Sequence, residues 1–361
     1  MTSPTAYKVL TPLAALMVAF AGAAIIDKLP APTAALTQAV HTTDSEATAP
    51  DQTPVRSSQA SLTRVDGAVH QVGAITQAQN AEVLAYWTDE RMATARPISD
   101  LIDSTLDLTG SSLFPAPEDQ EVEWQVSRPD SAGERWTGGG LVARTTGKVY
   151  LTLDGRDFTC SASVVDSANR STLVTAGHCA KDGRGSWARN WTFVPGHSAG
   201  GSPHGKFTAR DLLVAPQWAD QADDSYDFAM VVLNKDGSET AQDRVGSQPI
   251  SFDSWSQAQV ERGVQVYSFG YPASSPYDGE DLHYCSGRTT PDTGGTTANG
   301  MRCAMTQGSS GGPWFTDFDS TTGQGTISSV VSFKYADDRN TQYGPRFGVE
   351  AQRLFERAER L

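Results

Sequence analysis

From about residue 141 onward, short apolar or alternating runs recur between turn signals. No other feature of the chain constrains its fold as tightly. The runs are Val149–Leu153, Phe158–Val165, Thr172–Ala176, Trp191–Val194, Phe228–Leu233, Val264–Phe269, Trp314–Thr316 and Thr326–Phe333. Gly, Pro, Asp and Asn fill the gaps, with Asp154-Gly155 and Asp236-Gly237 as turn dipeptides. Strands at this spacing suit a sandwich or barrel rather than βαβ units, so the expected fold class is all-β. The C-terminus departs from the pattern. Val349, Leu354, Phe355, Ala358 and Leu361 follow a helical period and predict one C-terminal helix packed on the strands.

Upstream of residue 141 the texture differs. Lys8 precedes an apolar run, Val9 to Ile26, which Asp27 and Lys28 close. Its 18 residues are at the lower edge of what spans a bilayer. Alanine and glycine make it only weakly apolar, and Ala19-Phe20-Ala21 and Ala21-Gly22-Ala23 suit signal-peptidase cleavage. Residues 1–26 are therefore expected to be a cleaved signal peptide, with an uncleaved membrane anchor as the alternative. Residues from about 29 to 75 are rich in Ala, Thr, Ser, Gln and Pro and poor in aromatics, a composition expected to be largely disordered. From about 76 to 107, Val83, Leu84 and Trp87 suggest a helical face. Thr88 before Asp89 and Glu90 predicts an N-cap with an acidic first turn, and Pro97 with Ser99-Asp100-Leu101-Ile102 predicts another short helix. The expected organisation is a pro-region and linker over 27–140 and one catalytic-type domain over 141–361. A small N-terminal domain that stays attached is the alternative for 27–140.

The formal charge of −14 argues against nucleic acid or an anionic membrane surface as a partner. Four cysteines are present, Cys160, Cys179, Cys285 and Cys303, without a CxxC pair, which argues against a zinc site or a thioredoxin-type motif. In an exported chain two local disulfides are the natural reading, although spacing alone allows three pairings. No phosphate loop, cofactor motif or metal-ligand spacing is present, so no cofactor is expected.

Three stretches carry chemistry. The first is Gly308-Ser309-Ser310-Gly311-Gly312-Pro313-Trp314. A serine hydroxyl is a poor nucleophile until a base takes its proton and donors receive the charge that forms on the substrate. Glycines around Ser310 allow a tight turn, and the amides of Gly308 and Ser310 are placed to face a developing oxyanion. The second is Thr175-Ala176-Gly177-His178-Cys179, in which His178 ends a strand-like run and is the candidate general base. The third is Asp227, at the head of the apolar strand Phe228–Leu233. A carboxylate entering a buried strand needs a partner, and an imidazole N–H is one that would also fix the tautomer.

In the order His, Asp, Ser, these motifs resemble the chymotrypsin-like (trypsin-like) serine peptidases, over about 215 residues of the C-terminal part. The secreted bacterial members related to glutamyl endopeptidases are the most similar. The resemblance implies a double six-stranded antiparallel β-barrel with the site in the cleft between barrels. It implies His178 as general base and then acid, Asp227 as its orienter, Ser310 as the nucleophile that forms an acyl-enzyme, and Gly308 and Ser310 as oxyanion amides. It also implies that Cys160 and Cys179 form the disulfide bracing the histidine loop. Polypeptide substrate, extracellular location and a monomeric state follow in the same way. Gly308–Gly312 also fits the Gly-x-Ser-x-Gly elbow of α/β-hydrolases, but those run Ser, Asp, His, and the last histidine here is His283. Two further readings share the fold: a binding protein without catalysis, and an esterase with the same three residues.

The chain departs from the family pattern in two respects, activation and substrate preference. The position before the nucleophile, often an aspartate that receives a new N-terminus on activation, is Ser309, so that charge-pair switch is excluded. The S1 floor position is Ala304, which gives no support to cleavage after Arg or Lys. Val331 precedes Ser332-Phe333 where glutamate-specific relatives carry a histidine. Ala304, Ser332, Phe333 and Arg346 are the candidate substrate-binding residues. Arg346 falls roughly where the rear wall of the pocket would return, where an arginine would favour acidic side chains; a surface arginine beside Pro345 is the alternative reading.

Overall fold

The structure, a computed structural model, describes residues 63–65, 67–98, 131–198, 201–253 and 255–361. The apolar run at 9–26, the chain from 29 to 62 and the helix expected at Ser99–Ile102 lie outside the described residues.

Part of the stretch expected to be disordered is ordered. Strands β1 (Thr63–Val65) and β2 (Ala68–Val72) form a hairpin. Composition averaged over a long window hides a five-residue segment whose Ala68 and Val69 are buried. Thr76 opens the helix Gln77–Tyr86 with a capping box to Gln79. Thr88 caps Asp89–Thr94 as expected, accepting from the Arg91 N–H. Trp87, between the helices, is buried against Tyr150 and Val194, and its Nε1 donates to the Asn190 carbonyl at 2.5 Å. Strand β3 (Arg96–Pro97) and β4 (Ser131–Arg135) follow.

The first barrel uses β5 (Thr146–Leu153), β6 (Arg156–Val164), β7 (Thr172–Thr175), β8 (Arg189–Pro195), β9 (Phe207–Val214) and β10 (Ala229–Leu233). Their order is β9-β10-β7-β6-β5-β8, and β8 pairs back to β9 to close six strands. Asp154 and Gly155 both take positive φ, 46° and 76°, the conformation a two-residue hairpin between right-twisted strands requires. Period-two alternation fills the interior: Val149, Leu151 and Leu153 from β5, Phe158, Cys160, Ala162 and Val164 from β6, Ala229, Val231 and Leu233 from β10. The other face of β10, Met230 and Val232, packs in a second cluster with Ala351, Leu354 and Ala358 of the helix Val349–Ala358. Val349 itself is 56% exposed, because the packed face starts at Ala351.

The second barrel has β11 (Gln265–Gly270), β12 (His283–Arg288), β13 (Thr290–Pro291), β14 (Asn299–Arg302), β15 (Pro313–Asp319), β16 (Gln324–Val330) and β17 (Thr341–Gly344). One sheet runs β16-β15-β11-β12-β4 and a smaller one β13-β14-β17. Val266, Cys285, Met301, Cys303, Met305, Trp314 and Val331 form its core. The strand expected to run through Phe333 stops at Val330. Beyond it, Val331 exchanges main-chain hydrogen bonds with the nucleophile turn, its N–H to Gly312 and its carbonyl from Gly311. The whole is a chymotrypsin-like double barrel with a C-terminal helix. Strands upstream of residue 141 join both halves: β2 pairs β9, β3 pairs β6, and β4 pairs β12.

Candidate active site

Antiparallel pairing brings His178 and Asp227 together. β7 and β10 are neighbours in register Thr175↔Ala229, so the residue three past the end of one strand meets the residue two before the start of the other. Gly177-His178-Cys179 forms a short 3-10 turn there. Gly177 has no room for a side chain, because a Cβ would lie 2.8 Å from Asp227 Oδ1 and 2.9 Å from the Trp218 ring. Asp227 is buried and holds His178 twice: Oδ1 accepts from the His178 main-chain N–H at 2.7 Å, and Oδ2 lies 2.8 Å from Nδ1. The Ser332 hydroxyl donates to Oδ2 as well, at 2.5 Å. The carboxylate therefore has three partners, and Nδ1 is fixed as the protonated ring nitrogen. Nε2 is buried and makes no hydrogen bond to a described residue, Ser310 included.

The turn that carries Ser310 is built from glycine contacts. Gly308 (φ 95°) and Gly311 (φ 81°) are in the left-handed region. A Cβ on Gly311 would stand 2.1 Å from Thr175 Oγ1, and one on Gly312 would stand 1.9 Å from the Phe269 carbonyl. The turn thus presses against the end of β7, three residues before His178. The Ser161 N–H of β6 donates to the Ser310 carbonyl at 2.7 Å, and the Ser161 hydroxyl donates to the Gly308 carbonyl at 2.9 Å while accepting from the Tyr271 N–H. With both carbonyls held on one side, the Gly308 and Ser310 N–H groups donate to no described residue. Those are the two amides expected to face an oxyanion. Ser309 is also satisfied locally: its hydroxyl donates to the Thr306 carbonyl at 2.8 Å and accepts from Gln342.

The cysteines pair as Cys160–Cys179 and Cys285–Cys303. The first ties β6, beside Ser161, to the residue after His178. The second leads into Ala304, which lines a cavity of about 430 Å³ opening beside Ser310. Ser332 and Phe333 line it too. The role of Ser332 differs from the sequence expectation, since its hydroxyl serves Asp227. Arg346 does not reach this cavity. It lines a separate recess with Trp255, Asn299 and Phe347, where burial lowers the guanidinium pKa and Nε has no hydrogen-bond partner. Two cations that sequence reasoning missed line the cavity, Arg339 and the residue after Phe333, Lys334. Its Nζ donates to the Cys303 carbonyl at 2.5 Å and the Arg339 carbonyl at 2.7 Å, and burial pushes its pKa down to about 8. Ser161 was missed as well. One more serine in an alternating strand has no local signal; only its opposition to the Ser310 turn gives it a role.

A double barrel whose halves meet at a buried imidazole–carboxylate pair and a glycine-framed serine defines the class of trypsin-like serine proteases. The trypsin family model matches residues 119–354, and the chain belongs to that family. It is similar to protease Anisep from Arthrobacter nicotinovorans, at 39% identity and a TM-score of 0.56, over 60% of this chain and 96% of that one. The thermostable serine protease AL20 from an extremophilic microorganism is 39% identical at a TM-score of 0.56, over 61% and 99%. A Glu endopeptidase solved with MPD shares the fold at 18% identity and a TM-score of 0.50, over 64% and 98%. A curated relative, an extracellular metalloprotease of Bacillus subtilis, is 25% identical over 122 residues; the match covers 28% of this chain and 39% of that protein. The His/Cys/Asp/Glu group within ligand distance among the described residues is Cys160, His178 and Cys179, whose sulfurs are joined to each other.

Proposed function

We propose that this protein is a secreted serine endopeptidase that acts through His178, Asp227 and Ser310. The observation that carries the reading is the double hold of Asp227 on His178, which leaves Nε2 as the nitrogen for proton transfer beside the Ser310 turn. His178 takes the Ser310 proton as the hydroxyl attacks the scissile carbonyl. Asp227, held by the Ser332 hydroxyl, stabilises the imidazolium, and the Gly308 and Ser310 amides receive the oxyanion. His178 then protonates the leaving amine, and water, deprotonated by the same imidazole, releases the acyl-enzyme. The two disulfides and the apolar run at 9–26 support export, and the 27–140 region is proposed to be a pro-region whose cleavage matures the cleft rather than forming a new charge pair at Ser309, while its strands β2, β3 and β4 stay paired to the barrels. Phosphonyl fluoride labelling tests the reading. Labelling at Ser310 that is lost in folded Ser310→Ala and His178→Ala is expected. Undiminished labelling in Ser310→Ala would falsify the assignment.

A further inference from the structure

The cavity beside Ser310 is where the side chain on the acyl side of the scissile bond must go, because Ser310 attacks that residue's carbonyl. Among the described residues that line it, no carboxylate is present, while Lys334 and Arg339 both are. Lys334 Nζ donates to the carbonyl of Cys303, the residue before Ala304, which also lines the cavity. Its second bond is to the Arg339 carbonyl. Two carbonyls hold the ammonium, and an ammonium has three N–H donors, so one remains for a ligand. Phe333, stacked on Tyr343 with centroids 5.0 Å apart, and Tyr335, edge-on to both, keep the neighbouring wall apolar and stiff. A guest side chain entering this hollow leaves water. A guest cation would meet the Lys334 ammonium at close range with no carboxylate on the cavity lining to offset it, Asp338 acting on Lys334 from outside that lining, while a guest carboxylate would form a charge-assisted hydrogen bond in a partly desolvated site.

We propose that the cavity selects acidic side chains at the residue preceding the scissile bond, with Lys334 as the specificity-determining counter-charge. The proposal rests on the serine-peptidase reading above. It moves the cation expected at Arg346 to a residue that touches the cavity.

Two peptides that differ only in Glu or Gln at that residue test it, with a Lys peptide as third arm. The expected kcat/KM ratio of Glu to Gln is roughly ten- to a hundredfold, the effect of one charge-assisted hydrogen bond, and the Lys peptide is the poorest of the three. In Lys334→Met the Glu:Gln ratio falls to about one, and in Lys334→Arg part of it is retained. A ratio of one or less in the unmutated enzyme overturns the proposal, as does a ratio that survives Lys334→Met. Should the Met variant not fold, the unmutated and Arg ratios still decide. Phosphonyl fluoride labelling of the unmutated enzyme separates the two levels: labelling without Glu preference removes the proposal alone, and no labelling removes the peptidase reading with it.

Discussion

Asp227 grips His178 through both carboxylate oxygens, one on the main-chain N–H at 2.7 Å and one on Nδ1 at 2.8 Å. The first contact fixes the backbone and the second fixes the tautomer. Asp227→Asn can keep a contact to the backbone but presents the wrong group to the ring. We expect kcat to fall by roughly 10³–10⁴-fold with KM little changed. Steady-state kinetics on a peptide amide, with circular dichroism as a fold control, check this. A loss under tenfold would remove Asp227 from the mechanism.

Ser161 joins three segments through one hydroxyl and one amide: the Gly308 carbonyl, the Tyr271 N–H and the Ser310 carbonyl. Ser161→Ala keeps the amide and removes the hydroxyl, which leaves two buried backbone groups without that partner. The expected destabilisation is about 1–3 kcal/mol. Because the Gly308 peptide is then less firmly turned, kcat should fall more than KM rises. Urea melts together with kinetics give both numbers. Loss of stability with unchanged kcat would reduce Ser161 to a structural residue.

Trp87 lies well upstream of the two barrels' main strands yet is 2% exposed. Trp87→Ala opens a hole against Tyr150 and Val194 and should cost about 3–5 kcal/mol. Thermal melts of the unprocessed chain measure it. A shift near zero would mean that 77–98 packs too loosely to matter, as a detachable pro-segment would.

Lys334 gives a pH signature. Its pKa is lowered to about 8 by burial, against the opposing field of Asp338; Arg339 and Tyr335 line the same cavity. The ammonium is present below about pH 8 and lost above it, so kcat/KM for a Glu peptide should drop through that range while that for a Gln peptide stays nearly flat. Stability moves the other way. The unfolded lysine keeps its proton up to about 10.4, so between about 8 and 10.4 the unfolded state binds more protons, and this group's contribution to stability rises with pH. Paired rate profiles and melts of the unmutated and Lys334→Met proteins test both signs; parallel Glu and Gln profiles would contradict the first.

The triad order and the strand texture were legible because each is local. Gly177, Gly311 and Gly312 flank their functional residues in sequence, and alternation in β5, β6 and β10 needs no partner to be read. Contributions that depend on long-range docking were not legible. Ala68–Val72 reads as part of a polar tract until β9 supplies hydrogen bonds and a buried face. Strand β9 itself, Phe207–Val214, is hidden in the sequence because Arg210 and Asp211 interrupt its apolar pattern; Asp211 is satisfied by His70 from β2 and by Arg210. Lys334 is not legible as a cavity residue because chain position alone does not tell that Lys334 lines the hollow beside Ser310 while Arg346 lines a separate recess.

The pairing of β2 with β9 has a practical consequence. Val214 to Asp211 are hydrogen-bonded to β10 along one side and to β2 along the other. A protein produced without residues 63–98 would leave that second border bare, a template on which another copy can align its own chain. Recombinant material trimmed to the two barrels should therefore be prone to self-association and poor recovery. Supplying the missing hairpin as a separate peptide should restore it to a dispersed form.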